Sequence, residues 1–308
     1  VGNAKQPNFR MRQLARTLRA LREEVGYTQE ESARKLRFSD SKICRIEQGQ
    51  LPGYHEFLAM LDIYGIVVND YDEYIRMYER AEEKGWWHAY GLNDRGFVSA
   101  EAEASTVRTF QLAHIPGLLQ TEAYMRELFT ATYLPRRLHE LENQVAVRMR
   151  RQRRLTEEPL LHLHAVVDES ALHRPIGTMD QHHAQLRQVA DRARLGNVTI
   201  QVIPTELGAH SGQQGSFTVL SFPDPAEAAL VYVEQAFTSF CVEKEPEVSA
   251  ATMVFDHLAE LALDEDDSQA LVERVATSRR CAQPREARAD AFGGLHHLAE
   301  EQLQRRRR

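Results

Sequence analysis

"TQEESARKLRFSDSKICRIEQG", residues 28–49, reads as two short helices around a tight bend. Thr28 and Glu31 form the Thr-x-x-Glu pattern of a capping box, which starts the first of them. Ala33 and Leu36 make its inward face, and a residue as small as Ala33 lets a steeply crossing helix come close. Arg37 and Phe38 form the bend, and Ser39 stands where a cap for the next helix belongs. In that helix Ile43 and Ile46 share one face with Phe38 behind them, and Gly49 ends it. Asp40, Ser41, Lys42 and Arg45 are left on the outside.

Nearly all of that outer face can hydrogen-bond. In a helix-turn-helix the second helix lies in the major groove, with its amino-terminal residues nearest the base edges. Arg45 can pair bidentately with guanine, worth about 1–3 kcal/mol of discrimination. Asp40 can accept from the cytosine amino group or orient a neighbouring cation. Lys42 suits phosphate as well as base. Gln29 can reach phosphate beside the Thr28 backbone amide, and Arg12, near the start of the first helix, offers a contact blind to sequence. The competing reading is a helical hairpin whose polar face simply meets water.

Around this pair the chain is helical up to about residue 85. Leu14, Leu18, Leu21 and Val25 recur at helical spacing before Gly26. After "LPG" at 51–53, Phe57, Leu58, Leu61 and Tyr64 mark a fourth helix. A fifth runs from Asn69 as cap through Tyr71, Ile75 and Tyr78 to about Lys84. "GWWHAYGLNDRG" (85–96) holds both tryptophans and changes the composition, so the domain junction is placed there. Beyond it, strand-like stretches ("PLLHLHAVVDE", "NVTIQVIP", "GSFTVLSF", "ALVYVEQ") alternate with amphipathic helices. "LGAHSGQQGSF" (207–217) reads as a hairpin loop. The fold expected is multidomain: an all-α five-helix bundle over 1–85, a mixed α+β domain over 86–277, and an Arg/Ala-rich tail over 278–308.

The 308 residues suffice for about two domains. A net charge of -7 conceals an asymmetry. Residues 1–55 hold eleven Lys/Arg against six Asp/Glu, leaving 27 basic and 39 acidic residues for the rest. A basic end can meet phosphate while an acidic body discourages unspecific adhesion. No apolar run is long enough for a membrane span, and the first residues lack the apolar centre of a secretion signal. The three cysteines, Cys44, Cys241 and Cys281, are far apart, which argues against a disulfide framework or a structural zinc site. A cytoplasmic protein without cofactor or metal is expected.

The helix pair resembles the Cro/CI-type (XRE) helix-turn-helix family. Gln29, Ala33, Leu36, Ile43, Ile46, Glu47 and Gly49 fall at that family's recurrent positions, with "RIEQG" as the close. The resemblance places Asp40, Ser41 and Arg45 at base-reading positions and Gln29 at the backbone-contacting glutamine. Arg37 departs from it, standing where glycine is common, and Ser32 stands where leucine is usual. The larger half, through "AEASTVRTFQLAHIPGLLQTEAYMREL", "RMRRQRRL", "VVDESALHRPIG", "VTIQVIP" and "GSFTVLSFPD", resembles the domain of unknown function in WhiJ-like actinobacterial regulators. That implies a transcriptional regulator, often with a small partner protein in an antitoxin-like arrangement, and no catalytic residues.

Enzymatic candidates are sparse. Asp168 and Glu169 end a strand, where carboxylates can serve catalysis or merely cap the next segment. His162 and His164 alternate on one strand face without a third ligand. His182–His183 and His296–His297 are adjacent in helices and therefore diverge. Ser211 beside His210 is a faint hint of a nucleophile. An enzyme with a DNA-targeting module requires Asp168, Glu169 and a histidine to converge on one pocket. The reading preferred is a sequence-specific regulator that binds double-stranded DNA as a homodimer through helix 39–48 and is not an enzyme, with an antitoxin-like binder of a small protein as the alternative.

Overall fold

The computed structural model describes residues 7–91, 96–131, 137–224, 227–235 and 238–278. An N-terminal helical bundle is followed by a mixed α+β domain built on a six-stranded sheet. A terminal unit, Thr277–Arg308, separates from the rest, and of it only Thr277 and Ser278 are described. The arginine-rich tail, with Cys281 and His296–His297, therefore lies outside the described residues.

The bundle consists of α1 (Phe9–Glu24), α2 (Gln29–Leu36), α3 (Asp40–Glu47), α4 (Tyr54–Ile63) and α5 (Tyr71–Glu82). Its core gathers Leu14, Leu18 and Leu21 of α1 with Ala33, Ile43, Ile46, Phe57 and Leu61. The first helix starts five residues ahead of Leu14, where Asn8 caps it by accepting from the Met11 amide at 2.8 Å. Its buried face then changes partner along its length. Phe9 belongs to the core of the mixed domain, stacks on Phe222 at 4.3 Å, and donates its amide to the Ser99 hydroxyl. The fifth helix begins at Tyr71; Asn69, expected as its cap, sits inside a 3-10 turn, Val68–Asp70.

After the 3-10 turn Trp86–Tyr90, the mixed domain runs α6 (Phe97–Glu103), β1 (Thr106–Gln111), α7 (Glu122–Thr130), α8 (Leu138–Gln152) and β2 (His162–Asp168). It continues through α9 (Glu169–His173), α10 (Met179–Arg192), β3 (Val198–Ile203), β4 (Phe217–Ser221), β5 (Leu230–Glu234) and β6 (Ser239–Val242) to α11 (Glu245–Leu261) and α12 (Glu265–Thr277). Strand order is β3-β2-β1-β4-β5-β6; the first three are parallel and the others antiparallel. Alternation assigns the faces. Val107, Leu163, Ala165 and Val167 face one core with Leu186 of α10 and Val272 of α12, while Phe110 and Val166 face Phe255 and Leu258 of α11.

The topology corrects one expectation. Segment 204–216 is not a hairpin loop, because β3 and β4 are separated by β2 and β1. It crosses the carboxyl ends of two strands through two 3-10 turns, Thr205–Leu207 and Ser211–Gln214. Gly212 is required there: a Cβ would stand 2.4 Å from the Phe110 ring. The short β6 and the alanine-rich α6 carry no periodic signal and were not legible.

Candidate nucleic-acid interface

The α2–α3 unit is built from local bonds. The capping box closes both ways, with the Thr28 amide on a Glu31 carboxylate oxygen at 2.8 Å and the Glu31 amide on the Thr28 hydroxyl at 3.1 Å. Ala33 is fully buried at the crossing. Arg37 is left-handed at φ 56°, ψ 37°, and is the one non-glycine residue with positive φ among the described residues. That conformation costs about 1–2 kcal/mol for a side chain with a Cβ. It lets the Phe38 amide return to the Ala33 carbonyl at 2.8 Å and turns the chain into α3. Ser39 occupies the N-cap position of α3 without donating or accepting a cap bond; its hydroxyl faces that of Ser41 at 3.4 Å.

A polar network that the sequence did not disclose fixes the far end of α3. Arg22 of α1 reaches Glu47 through Nε at 2.5 Å and Nη2 at 3.1 Å, and donates Nη1 to the Tyr27 carbonyl at 2.6 Å. Both side chains are buried, at 8% and 4% exposure. Gln29 donates to the second Glu47 oxygen at 2.7 Å, so one carboxylate ties α1, α2 and α3 together. Ser32, at the position where the resemblance has leucine, is buried beside Tyr64; burial pushes the Tyr64 phenol up and the Ser32 hydroxyl pulls it down, with a net rise.

On the outer face Ser41, Arg45 and Gln48 are exposed. Asp40 opens α3, and its side chain lies outside the described part of the structure. Lys42 is half-committed, bonded to Glu56 and set over the Phe38 ring at 4.4 Å. This contact, followed by the Gly53 amide, holds the Glu56 carboxyl below the usual carboxylate range. Thr28 and Gln29 flank the face; the Thr28 amide is taken by Glu31, while Gln29 spends one of its two amide hydrogens on Glu47. Arg45 has no acidic partner among the described residues.

The arginines of α1 behave differently. Arg10, Arg12, Arg16, Arg19 and Arg22 each pair with glutamate. Arg12, expected at the DNA backbone, is held inside the protein by Glu243 at 2.8 Å and by the Pro7 carbonyl at 2.9 Å, with 17% of its side chain exposed. Its Nε and Nη1 are used on these protein groups, and its Nη2 is buried.

In the mixed half, Asp168 and His210 do meet, at 3.2 Å. Asp168 also caps α9 by accepting from the Ser170 amide at 2.9 Å. Glu169 turns elsewhere, to the Thr205 amide at 2.8 Å and to His173 at 3.0 Å. The two carboxylates thus pin the 204–216 crossing to the end of β2 from both sides, and the three side chains do not converge on one pocket. His164 bonds Gln201 at 2.7 Å and meets Phe255 edge-on; His182 bonds the Leu172 carbonyl at 2.8 Å. No group of three or more His, Cys, Asp or Glu among the described residues could hold a metal ion. None of their helices is long and apolar enough to cross a membrane.

A model of the family described as "Domain of unknown function (DUF5753)" matches residues 94–274, more than half of the chain. The chain belongs to the DUF5753 family. A model of a helix-turn-helix domain matches residues 13–73, from within α1 to the start of α5. No curated protein and no solved structure matches the chain. The boundary between the two matches gives the contacts of α1 their meaning. Phe9, Arg10 and Arg12 precede the helix-turn-helix match, and all three engage residues of the DUF5753 domain: Phe222, Glu103 and Glu243. Arg16, inside the match, adds Glu227 and Glu243. The helix that begins the DNA-binding unit is therefore also part of the DUF5753 domain's surface and core.

Proposed function

We propose that this DUF5753 protein is a sequence-specific transcriptional regulator, of the WhiJ-like kind, that inserts α3 into the major groove of its operator. The observation that carries the reading is Arg45. In a protein that pairs every arginine of α1 with glutamate, the arginine at the centre of the exposed α3 face has no acidic partner among the described residues. An open guanidinium on a short helix, set at a fixed angle by the Glu47 network, suits guanine recognition. Ser41 and Asp40 are proposed as its neighbours at the bases, and Lys42, Thr28 and Gln29 as groups at the phosphates. Arg12 is left out, since Glu243 and Pro7 already hold it.

One eight-residue helix offers few base contacts, so selectivity calls for two copies. A homodimer on half-sites about 34 Å apart supplies them. The DUF5753 domain then acts as the body that dimerises or receives a signal, and no catalytic role is assigned to it. Hydroxyl-radical footprinting of the full chain on its genomic sites tests this. Two protected half-sites related by a two-fold axis and one helical turn apart are expected. A single asymmetric footprint would remove the dimer, and protection independent of sequence would remove the regulator.

A further inference from the structure

Where the 3-10 turn Trp86–Tyr90 meets α6 and α8, the structure contains a cavity of about 470 Å³. That is within the range of small-molecule sites, about 300–1,000 Å³. One wall is aromatic: Trp86 and Tyr90 stand edge to face at 6.1 Å, both half-exposed. The lining also carries cations, Arg150, Arg153 and Arg154. Arg151, a fourth arginine of the lining, is held by Glu101 in a fork of 2.5 and 2.6 Å.

The three remaining arginines have no acidic partner among the described residues. Arg150 lies over the Trp86 ring, 4.5 Å from its centroid. Arg153 is exposed. Arg154 is half-buried and donates to three carbonyls, those of Glu101 at 2.9 Å, Ala102 at 3.1 Å and Pro159 at 3.2 Å. Burial pushes its guanidinium below the usual arginine value, against the pull of Glu101 and Glu103. Three cations held together with no carboxylate bonded to any of them among the described residues are stabilised by an anion, and guanidinium forks match phosphate oxygens bidentately. The rim also carries Glu157 and Glu158. These carboxylates repel a bare polyanion but accept hydrogen bonds from ribose hydroxyls or an exocyclic amine, as acidic residues do in dinucleotide sites. A flat ring has Tyr90 and the Trp86–Arg150 stack to lie against.

We propose that this cavity binds a purine nucleoside diphosphate or a more highly phosphorylated relative. The phosphates lie on Arg150, Arg153 and Arg154, the base lies against the aromatic wall, and the sugar or base amine faces Glu157 and Glu158. The position also gives the ligand a route to the bundle. α6, which supplies Glu101 to the lining, carries Glu103, and Glu103 pairs with Arg10 of α1 and Arg80 of α5.

Titration calorimetry on the full chain without DNA tests the site with ADP and GDP, with adenosine and guanosine, and with pyrophosphate. Saturable one-to-one binding of at least one diphosphate is expected, with its nucleoside and pyrophosphate each about tenfold weaker or worse. The double variant Arg150→Ala/Arg153→Ala removes two exposed side chains, so the fold is retained, and it should weaken nucleotide binding by about tenfold or more. No binding of either nucleotide, equal binding by the double variant, or pyrophosphate binding as tightly as the nucleotide would overturn the proposal. Loss of operator binding by the double variant without any effect of nucleotide would make this surface a DNA-phosphate contact instead, and would also overturn it. Because the titration contains no DNA, its failure leaves the regulator reading untouched.

Discussion

Replacing Arg22 by methionine removes a fork while keeping most of the side-chain volume, and its cost follows from what is left behind. Glu47 is 4% exposed and would retain only the Gln29 amide, and the Tyr27 carbonyl would lose its donor at 2.6 Å. Breaking a buried ion pair from one side costs about 3–5 kcal/mol, because the stranded charge stays desolvated. The additional contact of Arg22 with Glu23 is 3.3 Å long and its carboxylate is half-exposed, so it contributes little. The expected loss for Arg22→Met is therefore about 3–5 kcal/mol. Guanidinium unfolding of the full chain at pH 7, followed by far-UV circular dichroism, measures it. Combining the change with Glu47→Leu removes both charges and should return stability to within about 1 kcal/mol of the parent. A loss below about 1 kcal/mol for the single variant, or a double variant no more stable than the single one, would refute the assignment of Glu47 as a buried charge that needs its partner.

Arg37→Gly relieves the left-handed strain, worth about 1–2 kcal/mol, and returns part of it through the freer unfolded chain. A net gain of about 0.5–1 kcal/mol is expected in the same unfolding assay. Glu56→Gln keeps an acceptor for the Gly53 amide but releases Lys42. Salt titration of DNA binding should then show a slope steeper by about one counterion. The same change has a pH consequence. Because the folded Glu56 carboxyl is depressed, its stabilisation is present above the unfolded carboxylate value and is lost as pH falls through the folded value. Acid unfolding of Glu56→Gln should therefore be shallower below the ordinary carboxylate range.

What the sequence disclosed were features written within a few residues of one another. Thr28 and Glu31 form the capping box, Ile43 and Ile46 share the buried face, and Gly26 ends α1, because each follows from helical spacing alone. The period of two that sets His162 and His164 on one face of β2 leaves Leu163, Ala165 and Val167 to the core on the other. Pairings across long separations were not legible. Arg22 is 25 residues from Glu47, Asp168 is 42 from His210, and Arg12 is 231 from Glu243. Nothing local distinguishes an arginine that a distant glutamate will engage from one that stays open, so the Arg12–Glu243 pair is not visible in the sequence. The loop 207–217 failed for the same reason: its glycines signal a turn, but only strand order tells a hairpin from a crossover.

The most direct test of the account compares Arg45→Ala with the parent protein on operator and on random duplex, at one salt concentration. Arg45 has no acidic partner among the described residues, so the variant should keep the parent's circular dichroism spectrum and melting temperature. A loss of about 1–3 kcal/mol is expected on the operator and a much smaller one on random DNA. Equal losses on both duplexes, or none on either, would contradict it.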